Sequence, residues 1–103
     1  MDDDEKYQQL MKYSNPNRVL KNLEKYLNKP VHLFLSTRRT KKYMIERPDG
    51  KYIHFGQMFY EDFTRHRDDV RRIHYLQRST NIHGNWKHDK YSPNNLSIHG
   101  TWM

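Results

Sequence analysis

The side chains in this sequence best suited to chemistry are its seven histidines and the carboxylates that lie near them. Two chemistries would use them: metal ligation and general acid–base hydrolysis. A zinc site gathers three or four ligands at short, fixed spacings and closes them with a further layer of hydrogen bonds. Here His83 and His88 stand five apart, His66 and His74 eight apart, no cysteine accompanies them, and no HExxH occurs. Close pairs such as His66 with Asp68, or His88 with Asp89, arise by chance in a sequence with 30% charged residues. Hydrolysis would draw on His54, Glu61, Asp62, His66 and Asp68, which would have to converge in one cleft with shifted pKa values. No GxSxG, Walker A, GxGxxG or Ser-His-Asp pattern frames them. The expectation is no catalytic residue, no metal and no cofactor, with the histidines in ordinary hydrogen bonds.

The cationic side chains form a more specific pattern. Arg38, Arg39, Lys41 and Lys42 cluster in one turn, and Lys51 sits at a hairpin. Arg67, Arg71, His74 and Arg78 recur at helical spacing, so at ~100° per residue they project as one narrow stripe. A turn at the end of a sheet and a helix packed on that sheet would join these groups into one surface for phosphates. Tyr43, Tyr52, Tyr60 and Tyr75 are interleaved with them and suit either the core or stacking on unpaired bases. No zinc-finger, helix-turn-helix, RRM or KH signature appears. Binding would rest on backbone charge and not on base identity.

The elements that must position these groups can be traced along the chain. Asp2, Asp3, Asp4 and Glu5 complement the dipole at the start of a first helix carrying Tyr7, Leu10 and Met11. Ser14-Asn15-Pro16-Asn17 stops it and caps a second helix over 18–28, whose apolar face is Val19, Leu20, Leu23, Tyr26 and Leu27. Pro30 ends that helix, and 31–35 reads as a strand. Strands over 43–46 and 51–55 flank Pro48-Asp49-Gly50, a hairpin turn. A third helix is expected over 63–79, with Val70, Ile73 and Leu76 facing the core beside the basic stripe. After Thr80 periodicity is lost. The tail holds an echo, Ile82-His83-Gly84-Asn85-Trp86 and Ile98-His99-Gly100-Thr101-Trp102, each copy expected to be a short extended segment that sets a Trp onto the body.

The expected fold is α+β: two or three antiparallel strands, about three helices and an irregular C-terminal tail. Residues 1–29, 30–80 and 81–103 are its N-terminal helical segment, hairpin-plus-helix core and packed tail, all within one domain. Only 34% of the 103 residues are apolar and the mean hydropathy is -1.24, so eight Tyr, four Phe and two Trp must carry much of the core. With a core this lean, both termini are expected to order on a partner. Lys and Arg total 19 against 12 Asp and Glu, a net charge of +7, and the four leading acids leave the rest more basic still. Such a field favours polyanions. The absence of cysteine suits a reducing compartment, the acidic start differs from a signal peptide, and no stretch reaches the ~20 apolar residues of a membrane span.

Gly50-Lys51-Tyr52-Ile53-His54-Phe55-Gly56-Gln57-Met58, Tyr60-Glu61-Asp62-Phe63-Thr64-Arg65-His66 and the Asp68 to Arg72 run together carry a family resemblance. So do the Tyr43-Met44 approach and Ser92-Pro93-Asn94-Asn95-Leu96-Ser97 leading to Trp102. Over roughly residues 30–103 the chain resembles small uncharacterised proteins encoded by large DNA viruses of algae and amoebae, the phycodnavirus and mimivirus-like groups. The resemblance implies a viral origin and a place in the virion, the host cytoplasm or a viral factory, not secretion. It transfers no functional residue. In that setting the leading expectation is a basic protein that contacts nucleic acid, DNA ahead of RNA, through Arg38, Arg39, Lys41, Lys42, Lys51, Arg67, Arg71, His74 and Arg78. The alternative is a minor capsid or cement protein whose partners are capsid proteins.

Overall fold

A computed structural model describes residues 2–103. Helix α1, Asp3–Tyr13, begins where the Asp2 carboxylate accepts the Glu5 amide at 2.8 Å. Helix α2, Pro16–Leu27, is capped by the Asn15 side chain and stopped by Asn28 in the left-handed region, φ +55°. The cluster of small polar residues thus ends one helix and starts the next, as its composition dictates. Three antiparallel strands follow in the order β1 (Phe34–Leu35), β2 (Lys41–Glu46) and β3 (Tyr52–Gln57). The β2–β3 register pairs Lys41 with Gln57, Tyr43 with Phe55 and Glu46 with Tyr52. The turn between them closes through Gly50 at φ +89°, a conformation a side chain would strain. The first strand is shorter than the apolar run suggested, with a ladder only at Phe34–Met44 and Leu35–Tyr43.

Alternation on β2 points Tyr43 and Ile45 at the core, where they meet Phe55, Met58 and the buried face of α1 and α2. Leu10, Val19 and Leu23 are fully buried there. Both ends expected to order on a partner pack instead on the chain's own core. At the N-terminal end Leu10 and the stem of Lys6 are buried; at the C-terminal end Leu96, Ile98 and Thr101 are.

Two regions depart from the sequence reading. The helix expected over 63–79 is two helices, α3 (Phe63–His66) and α4 (Asp69–Thr80), separated by Arg67 at φ +56°. Asp68 then caps α4, its carboxylate accepting the amides of Val70 and Arg71. This break resets the helical phase: Val70 and Ile73, expected in the core, are 61% and 52% exposed, while Tyr75 and Ser79 turn inward. The tail is also more ordered than expected. A 3-10 turn at Trp86–His88 leads to α5 (Pro93–Leu96), started by the Ser92 hydroxyl, and to a π-helical turn at Ser97–Thr101. The fold is α+β with a three-stranded antiparallel sheet and a short helical C-terminal tail.

The two IHGxW pentads are not equivalent. Neither is extended. The first straddles a surface turn at Gly84, φ +116°, and the second forms the π-helical turn against α2.

Candidate functional site

A cleft of about 700 Å³ opens between the open end of the β2–β3 hairpin and one side of α4. The last rung of the hairpin, Lys41 opposite Gln57, forms one wall, and Met58 N–H donates to the Thr40 carbonyl at 2.9 Å to close that end. Arg71, His74 and Arg78 form the other wall. They stand at i, i+3 and i+7, hence on one face of α4. The tail supplies polar lining through Asn94, Ser97 and Thr101.

Helix α4 is fixed to the tail by its neighbouring face. Tyr75 stacks on Trp102 with ring centroids 4.1 Å apart and planes 7° from parallel. Arg72 Nε donates to the Trp102 carbonyl at 2.7 Å, and Asn94 Nδ2 to the Ser79 carbonyl at 3.0 Å. Burial pushes the Tyr75 hydroxyl's pKa up, so it stays a neutral donor beside Ser79 and Ser97. With those contacts holding one side, the cations of the next side are presented to the cleft. The Arg71 guanidinium lies 3.6 Å from Glu61 Oε1, with both side chains nearly half exposed, a tether of small energy.

Four of the nine sequence-predicted residues, Lys41, Arg71, His74 and Arg78, line this cleft with their polar ends accessible. Arg38 and Arg39 occupy the exposed turn just before Lys41, at the same end of the hairpin. Arg38 N–H donates to Ser36 Oγ at 2.9 Å, and the Arg38 carbonyl accepts from Lys6 Nζ at 2.8 Å. Lys51 is at the opposite end, in the hairpin turn, roughly 17 Å along the strand. Arg67 leaves the stripe because its left-handed backbone breaks the helix there. Its guanidinium lies 4.3 Å from the Phe63 ring centroid and reaches the Met103 carbonyl.

Lys42 is the larger correction. Its side chain is 2% exposed, and its ammonium donates to Asp62 Oδ2 at 3.2 Å and to the Tyr60 carbonyl. Burial holds its pKa below the usual lysine value while the Asp62 carboxylate opposes that shift. It cannot meet a phosphate without abandoning a buried carboxylate. That carboxylate also accepts from the Thr64 amide and hydroxyl. Thr64 Oγ1 accepts the Asn15 amide at 2.9 Å and approaches Ser14 Oγ, which accepts from the Tyr43 hydroxyl at 2.6 Å. Lys42 therefore belongs to a polar network that ties the hairpin to the α1–α2 junction and sets the position of the Tyr60–Glu61 loop.

Among the described residues no group of three or more His, Cys, Asp or Glu is placed to hold a metal ion. The acid–histidine set has structural partners: His54 Nδ1 meets Ser36 Oγ at 2.6 Å, His66 Nδ1 accepts the Asp68 amide at 2.9 Å, and Asp62 and Asp68 cap α3 and α4. Sequence reasoning missed Lys6, whose buried ammonium donates to the Ser36 and Arg38 carbonyls and so pins the basic turn to α1. The one signal for it is position, a turn before Leu10 on the same face. Asn94, Ser97 and Thr101 carried no signal, since the tail lacked periodicity.

No helix among the described residues is long and apolar enough to cross a membrane. No curated protein and no solved structure is significantly similar to the chain. Residues 31–79, from the approach to β1 through the penultimate residue of α4, match DUF5754, a family of unknown function. The similarity thus covers both walls of the cleft and leaves out α1, α2 and the tail.

Proposed function

We propose that the protein binds nucleic acid through its phosphates, with the cleft and the adjoining basic turn as the contact surface. One observation carries this reading. Lys41 on the hairpin and Arg71, His74 and Arg78 on α4 are thirty or more residues apart in the chain, yet they face one concavity, in which the half-exposed Glu61 beside Arg71 is the one carboxylate among the described lining residues. Arg38 and Arg39 extend the positive surface beyond the cleft mouth. Phosphates are the ligands that clustered, solvated cations favour, and release of counterions makes such binding salt-dependent. The resemblance to virus-encoded proteins supplies a setting, a genome-associated protein of the virion or the viral factory.

A second reading has its own observation. Val70 and Ile73 are each more than half exposed, an apolar pair on the surface of α4, which suits contact with a capsid protein. The two readings separate in one experiment. Fluorescence anisotropy with a labelled oligonucleotide at 50 and 200 mM salt is expected to show binding that weakens with salt. An Arg71→Glu/Arg78→Glu variant, checked for fold by circular dichroism, is expected to lose at least tenfold in affinity and to lower the salt slope by about 2. Failure of the wild type to bind at 50 mM salt overturns the nucleic-acid reading, and unchanged binding in a folded variant removes the cleft from it.

A further inference from the structure

We infer that the cleft takes an unpaired strand and not a duplex, with a base stacked on Tyr60 and the backbone phosphates between Lys41 and the Arg71–Arg78 wall. This deepens the nucleic-acid reading and rests on it.

Three observations point the same way. First, the basic side chains of α4 border a concavity while staying exposed to solvent. A helix that reads duplex DNA presents its polar side chains outward into a groove ~12 Å wide. On α4 the exposed positions beside the basic row are the apolar Val70 and Ile73. Arg71, His74 and Arg78 line a concavity of nucleotide scale, too small to take the width of a duplex. At about 700 Å³ the cleft is in the range that takes one small ligand, ~300–1,000 Å³, the scale of a nucleotide.

Second, the cleft carries an accessible aromatic ring. Tyr60 lines it and is 70% exposed, the most exposed of the chain's large hydrophobic side chains among the described residues. The other tyrosines of the basic region are unavailable to a base here: Tyr43 is buried and bonded to Ser14, Tyr75 is stacked on Trp102, and Tyr52 lies toward the far end of the hairpin. A solvated ring beside cations is the arrangement on which unpaired bases stack while the backbone is neutralised.

Third, Tyr60 is held in place by its backbone. Its carbonyl accepts from Lys42 Nζ, and its amide donates to the Gln57 carbonyl at 3.4 Å. A buried lysine–aspartate pair is weak support for stability, because desolvation offsets most of the attraction. What this pair does is fix the loop that carries an otherwise unsupported ring. Pre-ordering that ring lowers the cost of binding.

Anisotropy with a labelled twelve-residue oligothymidylate, a blunt twelve-base-pair duplex and poly-glutamate as charge control, all at 50 mM salt, tests this. The oligothymidylate is expected to bind at least tenfold more tightly than either. Tyr60→Ala, which leaves the backbone contacts in place, is expected to weaken it by about tenfold, the effect of losing one base stack. Tyr60→Phe is expected to restore it, and neither change should alter the duplex. Equal affinity for duplex and single strand, poly-glutamate binding as tight as the oligothymidylate, or indifference to Tyr60→Ala overturns this inference. If the duplex still binds with salt dependence, the broader reading stands; if no nucleic acid binds, that reading fails as well.

Discussion

The two IHGxW pentads place nearly the same five side chains in opposite surroundings. Ile82 is 53% exposed and Ile98 is 7% exposed. Trp86 closes its own loop, with Nε1 donating to the Ile82 carbonyl at 2.7 Å, whereas Trp102 lies on Tyr75 of α4. His99 stacks on Tyr26 of α2 at 4.1 Å, while His83 is exposed. The difference lies in what each copy meets. The second follows α5 directly and is received by α2, where Asn22 Nδ2 donates to the Gly100 carbonyl at 2.9 Å. Its one changed residue also helps, for Thr101 is buried with its hydroxyl on the Ser97 carbonyl, where Asn85 would leave a larger amide to satisfy. Conformation here follows docking, not the pentad itself.

The two pentads should differ most at their isoleucines. Ile98→Ala removes a buried side chain from the second pentad and is expected to cost about 3 kcal/mol, within the usual range for large-to-small core changes. Ile82→Ala should stay within about 0.5 kcal/mol, as exposed substitutions do. Urea unfolding of both variants checks this. Similar losses would mean that the first pentad is also docked.

The two glycines are required for different reasons. A Cβ at Gly100 would lie 2.9 Å from Leu23 Cδ2 and 3.2 Å from Leu23 Cγ, and Leu23 is fully buried with little room to move. A Cβ at Gly84 meets nothing within 4 Å, but the backbone sits at φ +116°. Gly100→Ala should cost about 2 kcal/mol through overpacking, and Gly84→Ala about 1 kcal/mol through strain. A double-mutant cycle distinguishes the causes. Trimming the neighbour with Leu23→Val is expected to couple with Gly100→Ala and to be additive with Gly84→Ala.

The same distinction between local signal and docking explains what could be read from the sequence. Helices α1 and α2 and the hairpin were legible because their caps, stops and turn residues act within a few positions: Asp2, Asn15-Pro16, Pro30 and Gly50 each have a chemical reason to be where they are. Arg71, His74 and Arg78 were legible as one face for the same reason, since helical spacing holds within α4. The break at Arg67 was not, because arginine has no preference for the left-handed region; the Asp62 and Asp68 caps were the signal, and an apolar pattern running through both hid it. Lys42 looked like any turn cation, and only the sheet register and the Asp62 loop turn it inward. The cleft itself depends on tail residues whose positions follow from packing on α2.

A smaller test uses His99, whose ring is half-buried against Tyr26. Burial holds its pKa below the ordinary 6.5, and the Lys90 charge lowers it further. In the unfolded chain the ring takes up its proton near 6.5; in the fold it does so only at a lower pH. Between those values the unfolded state binds more protons, so stability rises with pH there. The contribution of His99 is full above 6.5 and is lost as pH falls through the folded value. His54 and His66 have pKa values lowered chiefly by burial too, so all three act in the same direction. The urea midpoint of the wild type is expected to fall between pH 7.5 and 5, and His99→Gln should flatten that fall by its share while lowering the midpoint at both values through the lost stack. Parallel curves for wild type and variant would show that His99 protonates freely in the fold, and that the second pentad is less firmly docked on α2 than its geometry indicates.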